Sequence, residues 1–176
     1  MTKEKSMNTQ RSDAAIKKWI IEENPLCRIS FIEQRTFQTL PDKIFPLLCP
    51  TTELDWLPGW SCKLLHSQSG YAEHNCIFKT MYFGLDEIFI CTRYEKNLAI
   101  DYIRMSEHIS GKLDIKLFDH CNGSTTGVWL ITLSALDETG NEMLTDVSEI
   151  HAQFKKALDA LEYYLLKGEM IRYEEK

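Results

Sequence analysis

Between Cys62 and Leu136 the chain is a succession of β-forming runs parted by turn residues, and a single long helical period follows them. The runs are CKLLHS, AEHNCIFKTM, EIFICTRYE, LAIDYIRMS, KLDIKLF and TTGVWLITLSAL, separated at Gln68-Ser69-Gly70, Gly84, Glu95-Lys96-Asn97, Ser110-Gly111 and Asn122-Gly123. Connections this short cannot hold the crossover that parallel neighbours need, so the spacing predicts an antiparallel meander. An earlier run, RISFIEQRTF, alternates Ile29, Phe31 and Glu33 against Ser30, Ile32 and Gln34 and predicts a first strand at about 27–37. The sheet then has seven strands.

After a turn at Asp137 to Asn141, the residues Val147, Ile150, His151, Phe154, Leu158, Leu161 and Leu165 recur mostly at steps of three or four. This period predicts an amphipathic helix over about 143–167, with Gly168 as its C-cap. A seven-stranded antiparallel sheet has one face to bury, and this helix is the only element large enough to cover it. The fold class is therefore α+β, with Ile150, Phe154, Leu158 and Leu161 turned onto the concave side. Curling a twisted sheet around one helix leaves space between them, which is a candidate cavity.

The stretch LPDKIFPLLCPTTELDWLPGW holds four of the five prolines, so no long element passes through it. Two short helices fit: one around Asp42 to Leu48, and one capped by Thr51 or Thr52 with Glu53 and Asp55 in its first turn. Ahead of the first strand, residues 1–12 are polar and aperiodic, which predicts a disordered lead. DAAIKKWIIEEN then predicts an extra helix at 13–24. The main domain spans 25–168, and a charged tail 169–176 ends the chain.

A net charge of −6, with the acidic residues dispersed, argues against nucleic acid or an anionic membrane as partner, because both select clustered Lys and Arg. Apolar runs such as Ile88 to Cys91 and Val128 to Ile131 are far too short for a membrane span. The opening MTKEKSMNTQRSD has no apolar core of a secretory signal, so the six cysteines are expected to be free thiols in the cytoplasm. No CxxC pair occurs. Composition demands no cofactor, and a monomer or weak homodimer is the expected state.

With this order of elements the chain resembles the SRPBCC superfamily, the helix-grip fold shared by START lipid-transfer domains, the birch pollen allergen and polyketide cyclases. The resemblance covers about residues 27–167 and is closest to a bacterial branch of uncharacterised proteins. It rests on PLLCPTTELDWLPGWSCKLLHSQSGYAEHNCIFKT above all, with TRYEKNLAIDYIRM and LDETGNEML in support. It implies an apolar small molecule or lipid held between sheet and C-terminal helix.

Three side-chain groupings offer other chemistry. Cys62, His66, His74 and Cys76 are zinc-compatible in type and lie on two successive strands, but they lack knuckle spacing, and core or surface roles account for them. Any thiol beside His151 would make a nucleophile pair, yet no local motif supplies an oxyanion hole. Glu53 and Asp55, two apart, point to different faces of a helix and already serve its first turn. No Rieske-type pairs or facial triad of the iron oxygenases are recognisable.

Aromatic side chains are the informative class. Strand parity places Cys76, Phe78 and Thr80 with His74 on the inner face, and Trp129, Ile131 and Leu133 likewise. The expected ligand pocket is bordered by Trp60, Cys76, Phe78, Phe89, Tyr102, Trp129, His151 and Phe154, with Tyr102 or His151 orienting the ligand. The function read from this is binding of a hydrophobic or amphipathic small molecule. Two alternatives stay open: an enzyme of the cyclase/dehydratase type using the same pocket, and a protein-interaction module similar to the co-chaperone relatives of the superfamily.

Overall fold

The computed structural model describes residues 26–82 and 84–172. The expected lead at 1–12, the extra helix at 13–24 and the last four residues of the tail lie outside them. Strand β1 (Arg28–Phe37) is followed by the one-turn helix α1 (Pro41–Ile44) and two 3-10 turns, Phe45–Leu48 and Glu53–Asp55. Then come β2 (Ser61–His66), β3 (Ile77–Tyr82), β4 (Leu85–Glu95), β5 (Ala99–Met105), β6 (Ile109–Asp119) and β7 (Thr125–Ala135). Helices α2 (Glu138–Met143) and α3 (Val147–Lys167) complete the chain.

The seven strands form one antiparallel sheet in the order β1-β7-β6-β5-β4-β3-β2. Every step but one joins sequence neighbours. The exception, β1 beside β7, makes the proline-rich segment carry the chain from one sheet edge to the other, and its residues Ile44, Phe45, Leu48, Trp56 and Leu57 are buried on the way. Register shifts at Cys91/Arg93 on β4 and Leu64/His66 on β2 bend the sheet, as bulges do. The architecture is the helix grip: a curved sheet with a short helical segment after β1 and one long helix across its concave face.

Helix α3 buries Leu158, Ala160 and Leu161 to 3% exposure or less, while Ile150 and Phe154 pack half-buried against the same core. Each fully buried leucine contributes about 1.5–3 kcal/mol of hydrophobic free energy. The Asp146 side chain caps the helix start by accepting from the Glu149 amide at 3.1 Å. Gly168, in the left-handed region at φ 72°, ends it. Arg35 of β1 reaches across to Asp159 (2.6 Å) and Glu162 (2.5 Å) and ties the helix to the sheet edge. No helix among the described residues is long and apolar enough to cross a membrane.

Three boundaries differ from the sequence expectation. Strand β3 starts at Ile77 rather than Ala72, because Asn75 takes φ 67° and the Cys76 amide closes a turn onto the Glu73 carbonyl (3.1 Å). Ser110-Gly111 is not a turn but lies inside β6. A Cβ at Gly111 would stand 2.7 Å from the Leu133 side chain, so that glycine serves close strand packing. The expected turn at Asp137 to Asn141 is the start of α2, capped by Asp137 on the Gly140 amide (2.8 Å), and α3 begins at Val147 with its own aspartate cap.

Candidate functional site

Period-two alternation turns one residue in two of each strand toward α3. On β4 these are Leu85, Glu87 and Phe89; on β5, Tyr102 and Arg104; on β6, Leu113 and Ile115; on β7, Trp129, Ile131 and Leu133. Helix α3 faces them with Ile150, Phe154, Ala157, Leu158 and Leu161, which follow the helical period. The proline-rich segment closes one end with Leu48, Trp56, Leu57 and Trp60. Between these walls is a cavity of about 390 Å³. That volume lies within the range of small-molecule sites, about 300–1,000 Å³. The exposed lining residues Asp146, the N-cap of α3, and Glu149, in its first turn, mark where it meets solvent.

Most polar atoms of the walls already have partners. The Tyr102 hydroxyl donates to the Leu48 carbonyl (3.1 Å), Trp60 Nε1 to the Pro50 carbonyl (2.8 Å) and Trp56 Nε1 to the Leu47 carbonyl (2.9 Å). These bonds fix the proline-rich segment over the sheet. Arg104 grips Glu87 through Nε (2.9 Å) and Nη2 (2.5 Å), and its guanidinium stands 5.5 Å from the centre of the Phe89 ring. Rings meet edge to face, with Trp60 at 5.6 Å from Tyr82 and 6.2 Å from Phe89.

Glu53 is the exception. Its carboxyl makes no hydrogen bond or ion pair among the described residues, and the half-buried residue is part of the cavity lining. Burial pushes its pKa up from 4.5 to about 8, so the acid is neutral at neutral pH. The neighbouring Cys62 thiol is pushed up to about 12, by burial first and then by Glu53. Tyr102 is raised well above its usual value, also by burial first.

Of the eight residues expected to border a pocket, five converge on this cavity: Trp60, Phe89, Tyr102, Trp129 and Phe154. Cys76 and Phe78 do not. Phe78 stands opposite Phe89 in the β3–β4 register, but both Phe78 (0% exposed) and Cys76 (1%) are buried in the core and do not line the cavity. His151 is turned aside as well: one residue past Ile150 on the helix, it points to β1, where Nε2 bonds the Glu33 carboxylate and the ring lies 5.0 Å from Phe31. The sequence expectation also left Glu87 and Arg104 out of the pocket, and it weighed Glu53 with Asp55 only to set it aside as a first-turn carboxylate. Glu87 and Arg104 carried a signal, since each sits two residues from an aromatic taken as inward-facing, Phe89 and Tyr102. Cys62, His66, His74 and Cys76 do not gather: His66 and His74 are exposed, and no group of three His, Cys, Asp or Glu among the described residues is placed to hold a metal. All six cysteines are unpaired.

No family model matches the sequence, and no curated protein matches it. Solved structures do share its fold. An uncharacterized protein from Rhizobium leguminosarum superposes with a TM-score of 0.62 at 14% identity, over 81% of this chain and 97% of its own. Ara h 8.0201 gives 0.57 at 15% identity over 80% and 99%. CalU16 from Micromonospora echinospora gives 0.55 at 14% identity over 83% and 87%. Identities this low carry the fold and nothing finer.

Proposed function

We propose that the protein binds a hydrophobic or amphipathic small molecule in the cavity between sheet and α3. The observation that carries this reading is the cavity itself: about 390 Å³ of space, walled mainly by aromatic and aliphatic side chains. Apolar burial supplies affinity, and the few polar groups, Glu53 and the Arg104–Glu87 pair, supply orientation. The six unpaired thiols agree with a reducing compartment, which we take to be the cytoplasm.

Space-filling substitution tests the reading. Ala157 lines the cavity from the middle of α3, whereas Ala152 is exposed on the same helix and does not. Ala157→Phe should abolish binding of an apolar fluorescent dye while Ala152→Phe leaves it unchanged, and native mass spectrometry of freshly purified protein should show a bound molecule lost only in Ala157→Phe. Equal dye binding by the two variants would refute the cavity as the site.

Glu53 supports a second reading, an enzyme of the cyclase/dehydratase type in which this neutral acid, kept from bulk water, donates a proton. A molecule co-purifying with Glu53→Gln and converted by the wild-type protein would favour the enzyme. The same molecule bound unchanged by both proteins would favour a binder.

A further inference from the structure

The cavity's charges are lopsided. Its walls bring four carboxyl groups, Glu53, Glu87, Asp146 and Glu149, and a single cation, Arg104. Glu87 and Arg104 satisfy each other. Asp146 accepts from Ser148 Oγ (2.6 Å) and the Glu149 amide (3.1 Å), which hold its pKa below the usual aspartate value. Asp146 and Glu149 also sit at the positive end of α3, which offsets part of their charge. Glu53 has neither cation nor hydrogen bond among the described residues; it is half-buried, close enough to the Cys62 thiol of β2 and the Tyr102 hydroxyl of β5 to raise both, and it shares the cavity lining with Glu87 and Arg104.

Three ligand headgroups can be compared on this surface. An anionic head, such as that of a fatty acid, would enter a net acidic cavity whose one cation is already engaged, and its charge would be buried with only the neutral Glu53 acid to donate to it. A neutral head finds one hydrogen-bond donor in protonated Glu53. A basic nitrogen gains more. It forms a charge-assisted bond with the carboxylate, roughly twice as strong as a neutral one, and the rings of Trp60, Tyr82 and Phe89 that share the cavity attract cations. We infer that the ligand class is a basic amphiphile, an apolar body carrying an amine that pairs with Glu53. The inference rests on the cavity being the binding site and adds the chemistry of its occupant. When an alkylammonium ion binds, the Glu53 proton leaves to solvent, so the cavity gains one positive charge and loses one proton and stays electrically unchanged.

Isothermal titration calorimetry with decylamine, decanol and decanoate tests this on the full chain and on Glu53→Gln. Decylamine should bind about tenfold or more tighter than decanol at about pH 8.5, with decanoate weakest. Because free Glu53 holds its proton below about 8, amine affinity should fall as pH is lowered toward about 6.5, and paired buffers of different ionisation enthalpy should report close to one proton released there. Decanol should release none. Glu53→Gln should lose about tenfold or more in decylamine affinity and leave decanol affinity within about threefold. Proton release by the wild-type protein needs no variant, so it stands if Glu53→Gln fails to fold. If decanol binds as tightly as decylamine, or decanoate binds tightest, the amine inference is overturned and the cavity remains. If none of the three binds, the cavity reading fails and takes the inference with it.

Discussion

Arg104 holds Glu87 by two parallel hydrogen bonds across β4 and β5, and the two ends of the pair differ in their access to water: the Glu87 side chain is 3% exposed, the Arg104 side chain 22%. A carboxylate that loses its cation at such a depth keeps the full cost of desolvation, whereas the longer arginine can still reach solvent. Arg104→Met should therefore destabilise the fold by about 3 kcal/mol or more, Glu87→Leu by less, and the double variant by less than Arg104→Met alone. Urea denaturation of the four proteins measures this. Strict additivity of the two single changes would show that the pair is not energetically coupled.

The unpartnered Glu53 should leave its mark on stability against pH. In the unfolded chain the group ionises near 4.5; in the folded chain, burial holds the proton to about 8. Between those values the folded state binds the extra proton, so stability from this group falls as pH rises through the window, by at most about 1.4 kcal/mol per unit, and levels off above it. Glu53→Gln removes the titration while keeping the size of the side chain. The variant should match the wild type near the lower end of the window and exceed it increasingly toward the upper end, read from urea midpoints at matched pH. Parallel profiles would mean that cavity water solvates the carboxylate freely.

The sheet was legible in the sequence because short turns and period-two alternation leave an antiparallel meander few alternatives, and α3 because its apolar stripe runs unbroken from Ile150 to Leu165. Parity brought Phe89, Tyr102 and Trp129 to the cavity for the same reason. It failed at His74, which is exposed because a left-handed Asn75 interrupts the alternation, and it placed Cys76 and Phe78 on the buried face without telling how far along the strand the open space extends. His151 belongs to the helical period but looks past the edge of the cavity to Glu33, a contact set by how α3 is rotated over β1. Glu53 was illegible for a different cause: in an isolated 3-10 turn neither helical nor strand period says where a side chain points, and only the tertiary path of the proline-rich segment aims it inward.

His108 and Asp137 couple the β5–β6 turn to the start of α2. His108 Nδ1 lies 2.7 Å from Asp137 Oδ2, and this bond raises the histidine above its usual value; the Gly140 amide at 2.8 Å, followed by His108, lowers Asp137. A histidine raised on folding stabilises fully below its unfolded value of 6.5, and the contribution is lost as pH rises through the higher folded value. In an NMR titration the His108 ring should have a midpoint above 6.5. Asp137→Asn keeps a residue that can cap α2 and removes the charge, so it should return the midpoint toward the ordinary value without melting the helix. An unchanged midpoint in that variant would assign the shift to some other group.

Gly127 lies directly beneath the Trp129 indole. A Cβ at position 127 would stand 2.4 Å from Cη2 and 2.5 Å from Cζ3 of that ring, closer than non-bonded atoms tolerate, so the inward face of β7 leaves room for the indole only because residue 127 has no side chain. Trp129 is 3% exposed, meets the Phe37 ring edge to face at 6.2 Å and forms part of the cavity wall. Gly127→Ala must push the ring, and the side that can yield is the cavity. The substitution should cost about 1–3 kcal/mol of stability through overpacking and should reduce apolar dye binding in the same protein. Trp129→Phe shortens the ring system, so introducing Gly127→Ala into that background should cost less than it does in the wild type, a coupling that a double-mutant cycle reads directly. If Gly127→Ala leaves stability and dye binding untouched, the indole has another resting place and is not the fixed wall of the cavity.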